Sequence, residues 1–187
     1  MEIIGDQAMK YIRKLTGTKC FLSPLRIEDA RQYTEWLNNL EVTRYLTLAG
    51  QSISLQQEEE ILKDLAKGHT YGIVTLEDEQ LIGNCGAFAV DHMRRTCEVG
   101  IFIGNQDYWG KGYGTEALVL LAGYLFDYLN MHSILLRVYS FNDRAIASYT
   151  KLGFKVIGSR REVIPREGVW HDEVLMDLLE DEFRSRR

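Results

Sequence analysis

The segment Ile101-Phe102-Ile103-Gly104-Asn105-Gln106-Asp107-Tyr108-Trp109-Gly110-Lys111-Gly112-Tyr113-Gly114-Thr115-Glu116-Ala117 constrains this chain more than any other. An apolar run of strand character enters a glycine-rich loop, and the loop opens a long helix expected over 112–130. Ala117, Leu118, Leu121, Leu125 and Leu129 fall on one stripe of that helix. A strand that hands over to a helix in this way belongs to an α/β layered structure. The unbonded N–H groups of the helix's first turn and its macrodipole favour a phosphate or pyrophosphate. Gly110, Gly112 and Gly114 let such a ligand approach the main chain closely.

Other nucleotide loops fit less well. A Walker A loop needs four residues between its first glycine and its Gly-Lys pair, followed by Ser or Thr. Here five residues separate Gly104 from Gly110-Lys111, and Gly112 follows the lysine. Gly112-x-Gly114-x-x-Ala117 does match the dinucleotide pattern G-x-G-x-x-G/A. That pattern should follow its strand closely and be answered by an acid ~20 residues on. The next expected strand, 134–139, carries Arg137 and no acid.

The remaining elements read as strands and helices of one sheet. A strand is expected at 21–25. A helix follows Glu28 and Asp29, through Ala30, Tyr33, Trp36 and Leu37, with the acids at its positive end. A second helix covers 55–67, with Gly68 as its C-cap. Strands at 71–76 and 81–90 flank the hairpin turn 77–80, and a third strand covers 97–103. Asn142 or Asp143 caps a helix that stops at Leu152-Gly153, and 154–161 and 169–179 form a final antiparallel pair.

A second motif decides among the readings. The run 142–154, Asn-Asp-Arg-Ala-Ile-Ala-Ser-Tyr-Thr-Lys-Leu-Gly-Phe, places Asn142 and Tyr149 seven residues apart, so two helical turns bring both to one groove. It resembles motif B of the GNAT N-acetyltransferases, N-x-x-A-x-x-x-Y-x-K-x-G-F, at every fixed position. The loop 109–117 is similar to their motif A, Q/R-x-x-G-x-G/A, with Trp109 where Gln or Arg is usual, as in the RimJ/RimL-like branch; spermidine acetyltransferases are also similar. Leu22-Ser23-Pro24-Leu25 and 170–176 resemble the branch's first and closing segments, so the resemblance covers about residues 20–179. It implies a single GNAT-type α/β (α+β) domain over 1–187, with a mixed, mostly antiparallel sheet and helices on both faces.

The same resemblance implies acetyl-CoA as cosubstrate and acetyl transfer to a primary amine by direct attack in a ternary complex. Phe102 and Ile103 would lie along the pantetheine arm. Trp109, Gly110, Lys111, Gly112, Tyr113, Gly114 and Thr115 would hold the pyrophosphate, and Asn142 and Arg144 would complete the cofactor site. Tyr149 is the expected proton donor to the leaving thiolate, since a phenol is an O–H donor that stays protonated at neutral pH. Glu98, at the start of the strand before the loop, is the candidate base; the position where some relatives carry a glutamate is Arg137 here. An acyl-CoA-binding sensor without catalysis is the alternative from another class.

Composition narrows the partners. A formal net charge of -5 lacks the basic footprint of a nucleic-acid binder. With no run of 18 apolar residues and no leader pattern in residues 1–15, no membrane is expected and the chain reads as cytoplasmic. Cys20, Cys85 and Cys97 lack zinc spacing and read as buried thiols, with Cys85 opposite about residue 102. His69, His92, His132 and His171 have no partner at metal-ligand spacing, so no metal is expected. The acceptor is a small-molecule or peptide amine, in a groove expected from 36–48 and a loop at 163–171. Arg44, Tyr45, Trp170, Glu35, Glu41, Glu162, Glu167 and Asp172 are candidate contacts there. Which amine is used stays open, as does a homodimer.

Overall fold

Alternating apolar side chains give most strands of this chain two usable faces, and the computed structural model, which describes residues 10–186, buries both. The strands are β1 (Leu15–Thr16), β2 (Cys20–Pro24), β3 (His69–Thr75), β4 (Leu81–Asp91), β5 (Thr96–Ile103), β6 (Ser133–Tyr139), β7 (Lys155–Arg166) and β8 (Val169–Leu179). They form one sheet in the order β1-β2-β3-β4-β5-β6-β8-β7. Neighbours are antiparallel except β5 and β6, which the crossover through α4 (Tyr113–Asp127) makes parallel. The mixed, mostly antiparallel sheet is thus as expected.

Helices cover both faces. On one, α4, α5 (Asp143–Leu152) and α6 (Glu180–Arg184) pack over Leu22, Ile73, Ile82, Val99, Ile134 and Met176, with Leu121 and Leu125 the buried side chains of α4. On the other, α1 (Ala30–Leu37), α2 (Leu40–Thr43) and α3 (Leu55–Leu65) cover Phe21, Val74 and Leu81 with Tyr33, Trp36, Val42 and Leu62. In β2, adjacent residues divide between the two cores: Cys20 and Leu22 face one, Phe21 the other. No helix among the described residues is long and apolar enough to cross a membrane.

Several boundaries differ from expectation, each for a local reason. Ser54 opens α3 with a capping box to Gln57, but the helix ends at Leu65 and Ala66 is the C-cap in right-handed conformation. Gly68 lies beyond it, its N–H bonded to the Leu65 carbonyl at 3.1 Å. Helix α4 stops at Asp127 rather than 130, because Arg95 binds the carbonyl of Asn130 at 2.7 Å and its side chain at 2.9 Å, holding Asn130 at φ 55. Cys85 faces Ile101 rather than 102, since a bulge at Phe88–Asp91 shifts the register by one.

The expected loop at 163–171 is instead the end of the β7–β8 hairpin, closed by Glu167 and Gly168, both at positive φ as a two-residue hairpin turn requires. The short elements β1, α2 and α6 were not legible in the sequence. The reading of residues 1–15 as free of a leader lies partly outside the described residues.

Candidate active site

Two parallel strands that part company make the site. β5 and β6 are in register only from Thr96↔Ser133 to Glu98↔Leu135. Beyond that pair they splay, leaving Val99 to Ile103 without a strand neighbour on that side. A cleft of about 630 Å³ fills the opening. Its walls are β5, β6, the 108–115 loop, α5 and the 45–47 segment.

One end of the cleft is a glycine-rich turn with amides free among the described residues. Gly110 and Gly112 adopt φ of 70° and 87°, in the region glycine alone enters without strain, and Gly112 is the N-cap of α4. Gly112, Gly114 and Thr115 line the cleft. Among the described residues the amides of Gly110, Lys111 and Gly112 donate no hydrogen bond. Successive N–H groups in such a turn form an anion-binding concavity. Trp109 turns its indole N–H onto the Ile103 carbonyl at 2.8 Å, fixing the loop to the end of β5. The Arg144 guanidinium stacks 4.7 Å from the Trp109 ring, linking α5 to the loop.

The catalytic candidates line the same cleft. Asn142 caps α5 by accepting from the Ala145 amide at 3.3 Å, and Tyr149 follows two turns later on the same wall. Burial pushes the Tyr149 phenol up to about 12, against the Arg144 charge, which lowers it. Glu98 lies on the opposite sheet face from Cys97 and Val99, whose side chains enter the core beneath α4. There it faces Phe88 across the β4–β5 ladder and accepts from Arg137 at 2.5 Å. That hydrogen bond is the main cause holding the Arg137 guanidinium above its ordinary range.

The sequence did not single out Glu173. This buried residue of β8 lines the cleft, sits in register with Tyr139 and Arg160, and is paired with Arg160 at 2.9 Å. A strand-by-strand register of β6 and β8 would have found it, because cross-strand partners share a face.

The cleft therefore gathers Glu98, Phe102, Ile103, Trp109, Gly110, Gly112, Gly114, Thr115, Asn142, Arg144 and Tyr149. Lys111 and Tyr113 belong to the loop but stand outside the lining, packed about Tyr108. Of the acceptor candidates, Tyr45 lines the cleft and stacks 5.7 Å from Phe141. Arg44 pairs with Glu167 at 3.7 Å, and Glu41 accepts from Gln106 at 3.1 Å. Arg44, Trp170, Glu35, Glu41, Glu162, Glu167 and Asp172 are not among the lining residues, and neither is any of the four histidines. Burial pushes the Cys20 and Cys97 thiols up, to about 12 and about 11, and all three cysteines are free and buried. No group of three or more His, Cys, Asp or Glu suited to a metal occurs among the described residues.

Comparison with known proteins agrees with this geometry. A family model described as an acetyltransferase (GNAT) domain matches residues 19–155. The uncharacterized N-acetyltransferase p20 of Bacillus licheniformis is 27% identical, over 92% of this chain and 97% of its own. The spermidine N(1)-acetyltransferase of Escherichia coli K12 is 29% identical over 87% of each chain. Among solved structures, the spermidine N-acetyltransferase from Vibrio cholerae in complex with CoA and spermine shares the fold, with a TM-score of 0.79 and 24% identity over 90% of this chain and 99% of that one. With that family model covering most of the described residues and a splayed-strand cleft ending in a glycine-rich loop, the chain belongs to the GNAT acetyltransferase family and is an acyltransferase whose cosubstrate is acetyl-CoA.

Proposed function

We propose that this enzyme acetylates a primary amine by direct attack on the thioester, with Tyr149 protonating the departing sulfur. The observation that carries the reading is a phenol that lines the cleft two turns along α5 from its N-cap, Asn142, which lines it too. In the transfer the amine nitrogen bonds to the acetyl carbon as the carbon–sulfur bond breaks. The sulfur leaves as a thiolate whose conjugate acid has a pKa of ~8.5. It takes the Tyr149 proton, and the amine's proton passes to Glu98 or through it to water. An amine with a pKa of ~8 (a peptide N-terminus) to ~10.4 (a Lys-like group) arrives mostly protonated at pH 7, so a base is needed before attack.

Glu98 has one oxygen on Arg137, which leaves Oε1 to reach a water or the amine. Glu98→Gln keeps the shape and removes the base. A fall in kcat/KM on the order of tenfold at pH 7 is expected, partly recovered as pH rises and the amine arrives neutral. A pH–rate profile of the two proteins checks this. Superimposable profiles would return Glu98 to a purely structural pair with Arg137.

The acceptor is best read as an amine with one positive charge, such as a peptide N-terminus or a small monoamine. Both cleft carboxylates already have an arginine, Glu98 with Arg137 and Glu173 with Arg160. A polyamine would need several carboxylates to spare. The spermidine enzymes among the relatives favour the second reading. A panel of an N-terminal peptide, spermidine, an aminoglycoside and an amino sugar, read by release of free thiol, separates the two. The peptide or another monoamine should exceed spermidine by ~10-fold or more in kcat/KM, a difference of about 1.4 kcal/mol at the transition state. Spermidine as best substrate would overturn the charge argument. Binding of acetyl-CoA with no turnover on any amine would favour the sensor.

A further inference from the structure

A turn from the other end of the chain lies against the outer side of the anion-binding loop. Residues 17–19 join β1 to β2, and the Glu116 carboxylate, in the first turn of α4, clamps them and the start of β2. One oxygen accepts from the Thr18 amide at 2.9 Å and the Thr18 hydroxyl at 2.5 Å. The other accepts from the amides of Lys19 and Cys20, each at 2.8 Å. Burial alone would raise this carboxyl, but the donors from residues 18–20 bring it down to about 2, so it stays ionised. Gly17 is needed for the approach, because a Cβ there would stand 2.7 Å from the Glu116 carboxyl carbon.

Held in this way, Lys19 extends its ammonium onto the Lys111 carbonyl at 2.9 Å, beside Gly112. Neither Lys19 nor Lys111 has a carboxylate partner among the described residues. The peptide joining Lys111 to Gly112 is trans, so its carbonyl and its N–H point in opposite directions. Holding the carbonyl against the β1–β2 turn directs the Gly112 N–H the other way, and Gly112 lines the cleft.

We propose that Lys19 is a positioning residue for pyrophosphate recognition: through the Lys111 carbonyl it presets the Gly112 amide as a donor, and Glu116 fixes the turn that carries it. The proposal rests on the acyltransferase reading above. Its energetic logic is preorganisation. A glycine-rich loop without this anchor would order its peptides only when ligand arrives, at a cost in affinity.

The experiment measures Kd by calorimetry for acetyl-CoA, 3′-dephospho-acetyl-CoA and S-acetylpantetheine, with the full chain and its Lys19→Met and Lys19→Arg variants. Lys19→Met should weaken both diphosphate-bearing thioesters by about tenfold, leave S-acetylpantetheine unchanged, and keep Tm within a degree or two. Lys19→Arg should recover most of the loss. Three results would overturn the role: no change with any ligand, an equal loss with all three, or a loss confined to acetyl-CoA, since that last would make Lys19 a reader of the 3′-phosphate. If the unsubstituted protein binds none of the three, the acyltransferase reading fails instead, and that outcome is recognisable before any variant is measured.

Discussion

Tyr149→Phe should lower kcat by about 10²-fold while leaving acetyl-CoA affinity nearly unchanged. The substitution removes one oxygen and keeps the ring, whose centroid lies 6.2 Å from Phe154, so packing and Tm should hardly move. Burial has already pushed the phenol up to about 12, and the sign of that shift sets the pH behaviour. A phenol raised above its usual value of 10.0 is fully protonated through pH 6–10, so the donor is present throughout and no descending limb in that range belongs to it. Transfer from a group near 12 to a thiolate whose acid has a pKa of ~8.5 in water is uphill at equilibrium. The help must therefore come as the carbon–sulfur bond breaks, in a cleft that disfavours the bare thiolate as it disfavours the phenolate. Single-turnover rates with saturating acetyl-CoA test the claim most directly. An unchanged rate would mean that water supplies the proton, and Tyr149 would then be a wall of the cleft and no more.

Glu58→Gln should raise stability at alkaline pH and flatten its pH dependence. Glu58 lies in the first turn of α3, 2% exposed, with Oε2 lacking a hydrogen-bond partner among the described residues. Burial pushes its carboxyl from 4.5 up to about 7. The folded state thus holds the proton to higher pH than the unfolded chain does. Stability attached to this group is complete below about pH 4.5, declines between there and pH 7, and sits on a lower plateau above. A shift of that size corresponds to about 3 kcal/mol at most. For a domain of this length that is a Tm change of roughly 5–10 °C. Glutamine keeps the shape without the charge, so thermal melts across pH 5–8.5 should show a falling Tm for the parent and a nearly level one for the variant. Parallel curves would mean that water or a local opening solvates the carboxylate.

Much of this protein was legible before any coordinates. The 101–117 segment announced a strand, a glycine-rich turn and a helix, and all three are there, because glycine spacing and helical periodicity are local properties. The 142–154 run placed Asn142 and Tyr149 on one wall for the same reason: seven residues are two turns of helix. The layered sheet followed from the order of strands and helices, and the helices on both faces from the family resemblance. The failures have equally definite causes. Gly68 looked like a helix stop, yet Ala66 ends α3 without it. The reach of α4 was overestimated because the clamp that ends it comes from Arg95, 35 residues away from Asn130.

What only the tertiary structure decided is how distant residues meet. The sequence named Glu98 and noted Arg137 without joining them; the parallel β5–β6 pair puts their guanidinium and carboxylate 2.5 Å apart. Glu173 sat in a segment read only as a closing strand, and its place in the cleft depends on β8 entering the sheet between β6 and β7. Lys19 lies 92 residues from the carbonyl it binds. Pattern and spacing specify conformations over a few turns of chain. Contacts across the sheet depend on strand order and register, which are set by the burial of both faces at once. The sequence by itself therefore determined the two local motifs and the layered class. The arginine partners of the cleft carboxylates and the contact of the β1–β2 turn with the glycine-rich loop waited for the assembled sheet.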